Sequence, residues 1–194
     1  MKKFPGILVA FFLISVMALL CGCGGKFQPG RRGKPSPSPT ASPSPKNDSY
    51  ENKTVGYRFS IPPDWVAPNP EFAGDIYLEY GEAPFSPVPS FNSQSEKVKG
   101  VSSADLHDPK YQRTLKDEIE PGLKAAEENN IKMGSVPAYQ IVYGVDQGDN
   151  SIIIHQTYVY HNGYLIVFTG GCREDKYLEF ESVFDGFIES VVLD

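Results

Sequence analysis

Two apolar runs, Ile152–Tyr160 and Tyr164–Thr169, lie on either side of His161-Asn162-Gly163. Asn-Gly is the preferred pair for a two-residue type I′ turn, so the runs are predicted to be the strands of a hairpin. His161 then faces Tyr164, and the pairing counts back until His155 opposes Gly170. One face carries His155, Thr157, Val159, Ile166 and Phe168; the other carries Ile154, Gln156, Tyr158, Leu165 and Val167. Both faces are substantially apolar, so a sheet built on this hairpin needs cover on both sides.

The rest of the C-terminal three quarters supplies more strands and the cover. Tyr57-Arg-Phe-Ser-Ile61 alternates like a half-buried strand and stops at Pro62-Pro63, with Trp65 as a core anchor beyond it. Ile76–Tyr80 reads as a second strand. The Pro84–Pro89 stretch leads to a weaker strand over Phe91–Val98, for which the prolines suggest an edge position. Asp108-Pro109 is a helix start, Asp as N-cap and Pro at the first helical position. Tyr111, Leu115 and Ile119 line one face of that helix, which Pro121-Gly122 should kink or split before Leu123–Glu128, with Asn129-Asn130 as its end. Strands are expected at Ile131–Met133 and Ala138–Val145. Tyr177, Phe180, Phe184, Phe187, Ile188 and Val191 sit at helical spacing at the C-terminus. The fold class is α+β, a mostly antiparallel β-sheet with helices packed on it.

The N-terminal quarter is of another kind. Met1-Lys2-Lys3 precedes an apolar run from Ile7 to Leu20, too short to span a bilayer comfortably and patterned like a secretory signal peptide. Its end, Leu20-Cys21-Gly22-Cys23, resembles the lipobox of bacterial lipoproteins, in which a small residue precedes the lipidated cysteine. Gly22 fits that role for Cys23, and Leu20 is a poor residue to precede Cys21. The expectation is a signal peptide over residues 1–22, a palmitate-bearing Cys23 with a Pro/Ser-rich tether over 23–49, and a globular domain over 50–194. Cleavage there leaves Cys172 as the remaining cysteine. Pro35-Ser-Pro-Ser-Pro-Thr-Ala-Ser-Pro-Ser-Pro45 favours extended polyproline II, on the order of 30 Å long at about 3.1 Å per residue. Arg31, Arg32 and Lys34 either rest against anionic headgroups or keep the linker soluble.

Residues 50–194 hold 11 positive and 23 negative charges, a net of −12. Nucleic acid is therefore excluded as a partner, since phosphate backbones need clustered Lys and Arg. A protein partner would meet the domain with a basic face.

Gly56-Tyr-Arg-Phe-Ser-Ile-Pro-Pro-Asp-Trp65, Gly134-Ser-Val-Pro-Ala-Tyr-Gln-Ile-Val-Tyr143 and the Tyr158–Gly163 hairpin with an aromatic-rich C-terminal helix resemble the PsbP-like superfamily over about Tyr50 to Asp194. That superfamily includes the photosystem II extrinsic protein, the Mog-type partners of the Ran GTPase and many bacterial lipoproteins. The resemblance implies an α/β/α sandwich that serves as a non-enzymatic binding or assembly module. It transfers no catalytic residue and no cofactor.

Three local features admit sharper chemistry. Cys172 shares the parity of His155, so thiol and imidazole could meet as a nucleophile and base; a small buried cysteine at a strand-to-helix turn is the alternative. Asp105 and His107 could ligate zinc or manganese, although Asp108 beside them is spent as an N-cap. Phe85, in the Pro84–Pro89 loop, could present an aromatic to a partner at little entropic cost, or fold back onto the core. Asp146–Asn150 has a calcium-like composition but lacks the twelve-residue loop, and a hairpin turn explains it. GxGxxG, P-loop, GxSxG and HExxH patterns are absent from the sequence. The expected function is a membrane-anchored, extracytoplasmic binding module without cofactor; the alternatives are a thiol-dependent enzyme using Cys172 and His155, and a metal-binding module.

Overall fold

The Asn162-Gly163 turn sets the register of the main sheet. Both residues have positive φ, 48° and 84°, as a type I′ turn requires. The computed structural model describes residues 48–68, 74–81, 86–121, 125–146 and 151–194. In chain order the strands are β1 Ser49–Asn52, β2 Tyr57–Ser60, β3 Trp65–Val66, β4 Ile76–Tyr80 and β5 Ser90–Lys97. A 3-10 turn, Ser103–His107, leads into helix α1, Pro109–Ile119. Then follow β6 Glu127–Met133, β7 Val136–Val145, β8 Ile152–His161, β9 Tyr164–Arg173, helix α2 Tyr177–Glu189 and β10 Val192–Leu193.

Seven strands form one antiparallel sheet in the order β3-β4-β5-β9-β8-β7-β6. His161 opposes Tyr164 and His155 opposes Gly170, so the hairpin register is the expected one. A smaller sheet, β1-β2-β10, lies with α2 over the first face. The hairpin tip holds it: Asn162 Nδ2 donates to the Val55 carbonyl at 3.0 Å, and His161 Nε2 to the Asp194 carbonyl at 2.8 Å. An Arg58–Asp194 ion pair closes the same corner.

The first face is aromatic. Phe91 of β5 stacks on Phe187 of α2 with ring centroids 4.0 Å apart. Phe59 of β2 meets Phe91, Phe168 and Phe187 edge-on at 5.6, 6.2 and 6.0 Å, an arrangement that adds to area burial. On the second face Leu106 of the 3-10 turn and Leu115 of α1 pack against Tyr139, Ile141, Tyr143, Ile154, Tyr158 and Leu165. Cover on both faces makes the layered α+β sandwich that the apolar hairpin demands.

Helix α1 begins as its sequence dictates. Asp108 Oδ1 accepts from the Lys110 and Tyr111 amides at 2.7 and 3.3 Å, and Pro109 has no N–H to leave orphaned. The helix stops at Ile119 because Pro121 disfavours a helical conformation for Glu120, which is extended at φ −155°, ψ 125°.

Two expectations are corrected. Residues 127–130 belong to β6, not to a second helical segment ending at Asn129-Asn130. Asn129 donates to Gln140 at 3.2 Å and Asn130 accepts from Gln112 at 2.6 Å. Cross-strand and helix contacts thus occupy the amides that would otherwise mark a helix end. Strand β5 is interior, paired with β4 on one side and β9 on the other. The prolines do not forbid this, because Pro89 precedes the first ladder residue and costs the sheet no N–H.

Candidate functional site

On the first face, His155 and Cys172 stand two residues apart in the β8–β9 register, as their parity required. Between them Gly170 leaves room for Phe184: a Cβ on Gly170 would lie 2.6 Å from that ring. Cys172 is fully buried. Burial first, then the charges of Asp175 and Glu179, push its thiol up to about 12, so it stays protonated at neutral pH. His155 is 4 % exposed, and neither ring nitrogen has a hydrogen-bond partner among the described residues. Burial holds its imidazole below the usual value, against the opposing pull of Asp185 and Glu127. Asp185 Oδ1 is 3.8 Å from Nε2, too far for a hydrogen bond. The register brings thiol and imidazole onto one face, but their surroundings keep both groups neutral rather than activating a nucleophile.

Asp105 and His107 are drawn into separate structural tasks. Asp105 Oδ2 accepts from the amide and hydroxyl of Ser102 at 2.7 and 2.8 Å. His107 Nε2 faces the carbonyls of Ile131 and Ala138 at 3.2 and 3.1 Å. Since carbonyls only accept, Nε2 carries the proton and ties the 3-10 turn to the β6–β7 hairpin. Among the described residues no three His, Cys, Asp or Glu side chains cluster as metal ligands. Cys23 and Phe85 lie outside the described residues.

The unusual chemistry is on the second face, beyond the apolar patch under α1. Ser90, Asn92 and Gln94 of β5, Gln156 of β8 and Thr169 of β9 point to this side, and all are buried. Tyr143 and Tyr158 donate to Gln156 Oε1 at 3.2 and 2.8 Å. Gln156 Nε2 in turn donates to Thr169 Oγ1 at 3.3 Å. Thr169 is the register partner of Asn92, whose Oδ1 has no hydrogen-bond partner.

On the helix side of this face Glu118 shares the stripe of α1 that carries Tyr111, Leu115 and Ile119. Its Oε2 is enclosed and unpartnered. Burial, then the charge of Glu96, raises its carboxyl above the usual value, and burial raises that of Glu96. Burying acceptors without donors costs about 1–3 kcal/mol each. Sequence reasoning missed these residues. The available signals were Gln156 inside an apolar strand and Glu118 one step from Leu115 and Ile119 on the wheel.

Neither a protein-family model nor a curated protein sequence matches the chain. Solved structures do. The cyanobacterial PsbP (CyanoP) of Synechocystis superposes with a TM-score of 0.54 at 17% identity, over 75% of this chain and 91% of that one. LpqN of Mycobacterium tuberculosis, described as involved in cell envelope biogenesis, gives 0.56 at 15%, over 71% and 82%. A Pseudomonas aeruginosa protein of unknown function, described as a putative regulator, gives 0.52 at 14%, over 75% and 96%. At these identities the likeness concerns the fold: the chain has a PsbP-like α+β fold.

Proposed function

We propose that this protein is an extracytoplasmic lipoprotein, held to the membrane by acyl chains on Cys23, whose head binds a ligand or partner and catalyses nothing. The binding reading is carried by the buried network of Tyr143, Tyr158, Gln156 and Thr169 and by the unpartnered Asn92 Oδ1 and Glu118 Oε2 on the same face. Interiors keep such networks where they specify structure or where they hold something, and two acceptors here are left without donors. The location rests on the charged start, apolar run and Gly22-Cys23 boundary, and the likeness to CyanoP and LpqN is consistent with it. Several acyl chains on one cysteine anchor firmly, each buried CH₂ contributing about 0.8 kcal/mol. The proline-rich tether would hold the head off the bilayer. The acidity of the head suits a protein partner with a basic face.

The test has two parts. Labelled palmitate should enter the wild-type chain and not Cys23→Ala, and Cys23→Ala should leave the membrane fraction. Iodoacetamide should reach Cys172 of the folded protein no faster than the protein unfolds. Rapid alkylation with an apparent pKa below about 8.5 would instead return thiol chemistry to the head.

A further inference from the structure

The two edges of the seven-stranded sheet are not alike. Strand β3 at one edge is two residues long and follows Pro62-Pro63, and short strands and prolines are what keep an edge from pairing. Strand β6 at the other edge runs seven residues without a proline, and all of them but Ile131 and Met133 are exposed. Among the described residues no strand pairs with its outer side.

Pro137 of β7 fixes which backbone groups of β6 turn outward. Proline has no N–H to donate, so its register partner Lys132 sits in a non-hydrogen-bonded pair. Lys132 therefore directs its N–H and C=O away from β7, and by the alternation of an antiparallel ladder Asn130 and Glu128 do the same. His107 agrees with this phase. Its Nε2 reaches the carbonyls of both Ile131 and Ala138, which approach one another only in a hydrogen-bonded pair.

The charges select the occupant of this edge. The outward row reads Glu128, Asn130, Lys132, with opposite charges at equal distance from Asn130. Two copies of β6, antiparallel about a two-fold axis at Asn130, set Glu128 of each copy against Lys132 of the other. Glu127 then meets Met133 and Asn129 meets Ile131, so no like charges stand opposite. A shift of two residues either way loses both ion pairs, and a shift of one turns the side chains to the wrong face. Lys132 has no ionic partner among the described residues. Glu128 holds Lys116 at 2.7 Å and Tyr139 at 2.8 Å, and a carboxylate so engaged still has lone pairs to offer. The stretch 35–45 of this chain does not suit the edge, because its prolines lack the donors a ladder needs.

We propose that β6 is a self-association edge. Two copies of the chain join β6 to β6 and continue the sheet across an isologous interface, through about six backbone hydrogen bonds from three hydrogen-bonded pairs. Two Glu128–Lys132 ion pairs hold the register. The proposal does not depend on the polar network of the second face.

Sedimentation equilibrium of the full chain in detergent, with micelles in excess, tests it. The wild type should show a monomer–dimer equilibrium. Lys132→Glu sets like charges opposite each other at both pairs and should weaken the dimer at least tenfold. Lys132→Pro should abolish it and leave the monomer folded, since that N–H has no use within one copy. Asn130→Cys should form an intermolecular disulfide under mild oxidation, and Lys53→Cys, on the exposed turn between β1 and β2, should not. If Lys132→Pro fails to fold, Lys132→Glu and the Asn130→Cys crosslink still decide. A chain that stays monomeric at every concentration would overturn the proposal. So would a dimer indifferent to both Lys132 variants, or a disulfide that forms no faster in Asn130→Cys than in Lys53→Cys.

Discussion

The two faces of the seven-stranded sheet use the same strands and resolve burial differently. On the first, Phe59, Phe91, Phe168, Phe184 and Phe187 interlock beside the buried polar side chains of Ser93, Gln140, His155 and Thr157. On the second, apolar packing under Leu106 and Leu115 gives way to the buried amides and hydroxyls of Ser90, Asn92, Gln94, Gln156 and Thr169. A period of two lets one strand serve both ends: Phe91 and Asn92 are neighbours in sequence and project to opposite sides. The first face sets its aromatic core beside isolated orphans at His155 and Thr157, and the second links most of its buried polar groups through hydrogen bonds.

The comparison breaks most visibly at Phe91. Phe91→Ala removes the ring stacked on Phe187 and one of the edges against Phe59, and should cost about 3–5 kcal/mol. A urea titration should show the midpoint falling with the slope unchanged. A loss under about 1 kcal/mol would mean that the aromatic face is not the main source of stability.

How much of this was legible beforehand follows the range of the interactions. The β8–β9 register, the Asp108-Pro109 helix start and the C-terminal helix are written in neighbouring residues, and each appears where the pattern puts it. Pro84, Pro87 and Pro89 point strand β5 to an edge, but they all precede its first ladder residue, Ser90. Its place is decided by β4 and β9, distant in sequence, and by the side chains across from it. Residues 127–130 were misread for the same reason, since Gln140 and Gln112 decide what the two asparagines do. Strands β1 and β10 are four and two residues long and carry almost no periodic signal. The polar chain was half visible: Gln156 stood on the predicted face, whereas its link to Thr169 and Asn92 needed the register of three strands together.

His155 is where the first face departs from its own character, and acid should expose it. Its folded pKa is depressed below the ordinary value of about 6.5, so below that pH the unfolded chain binds more protons than the folded one. Stability due to this residue is complete above about pH 6.5 and is lost as pH falls from there toward the depressed folded value. Melting temperature measured from pH 8 to 5 should fall more steeply for the wild type than for His155→Leu. Parallel curves would show that the imidazole is protonated as easily in the fold as outside it. Asp185→Asn should steepen the fall, because it removes a charge that favours the imidazolium.

The finest version of the contrast uses one substitution twice. Thr157 on the first face and Thr169 on the second are both buried, 1 % and 3 % exposed. Thr157 Oγ1 has no hydrogen-bond partner, whereas Thr169 Oγ1 accepts from Gln156. Valine has the same shape without the hydroxyl. Thr157→Val therefore removes an unsatisfied group and should raise stability by about 1 kcal/mol. Thr169→Val strands the Gln156 amide and should lower stability by about 1–2 kcal/mol. Opposite signs from two chemically identical changes would mean that hydroxyls are tolerated on one face and used on the other. If both variants shift the same way, the polar chain is not a connected network, and the case for the second face as a binding surface loses its foundation.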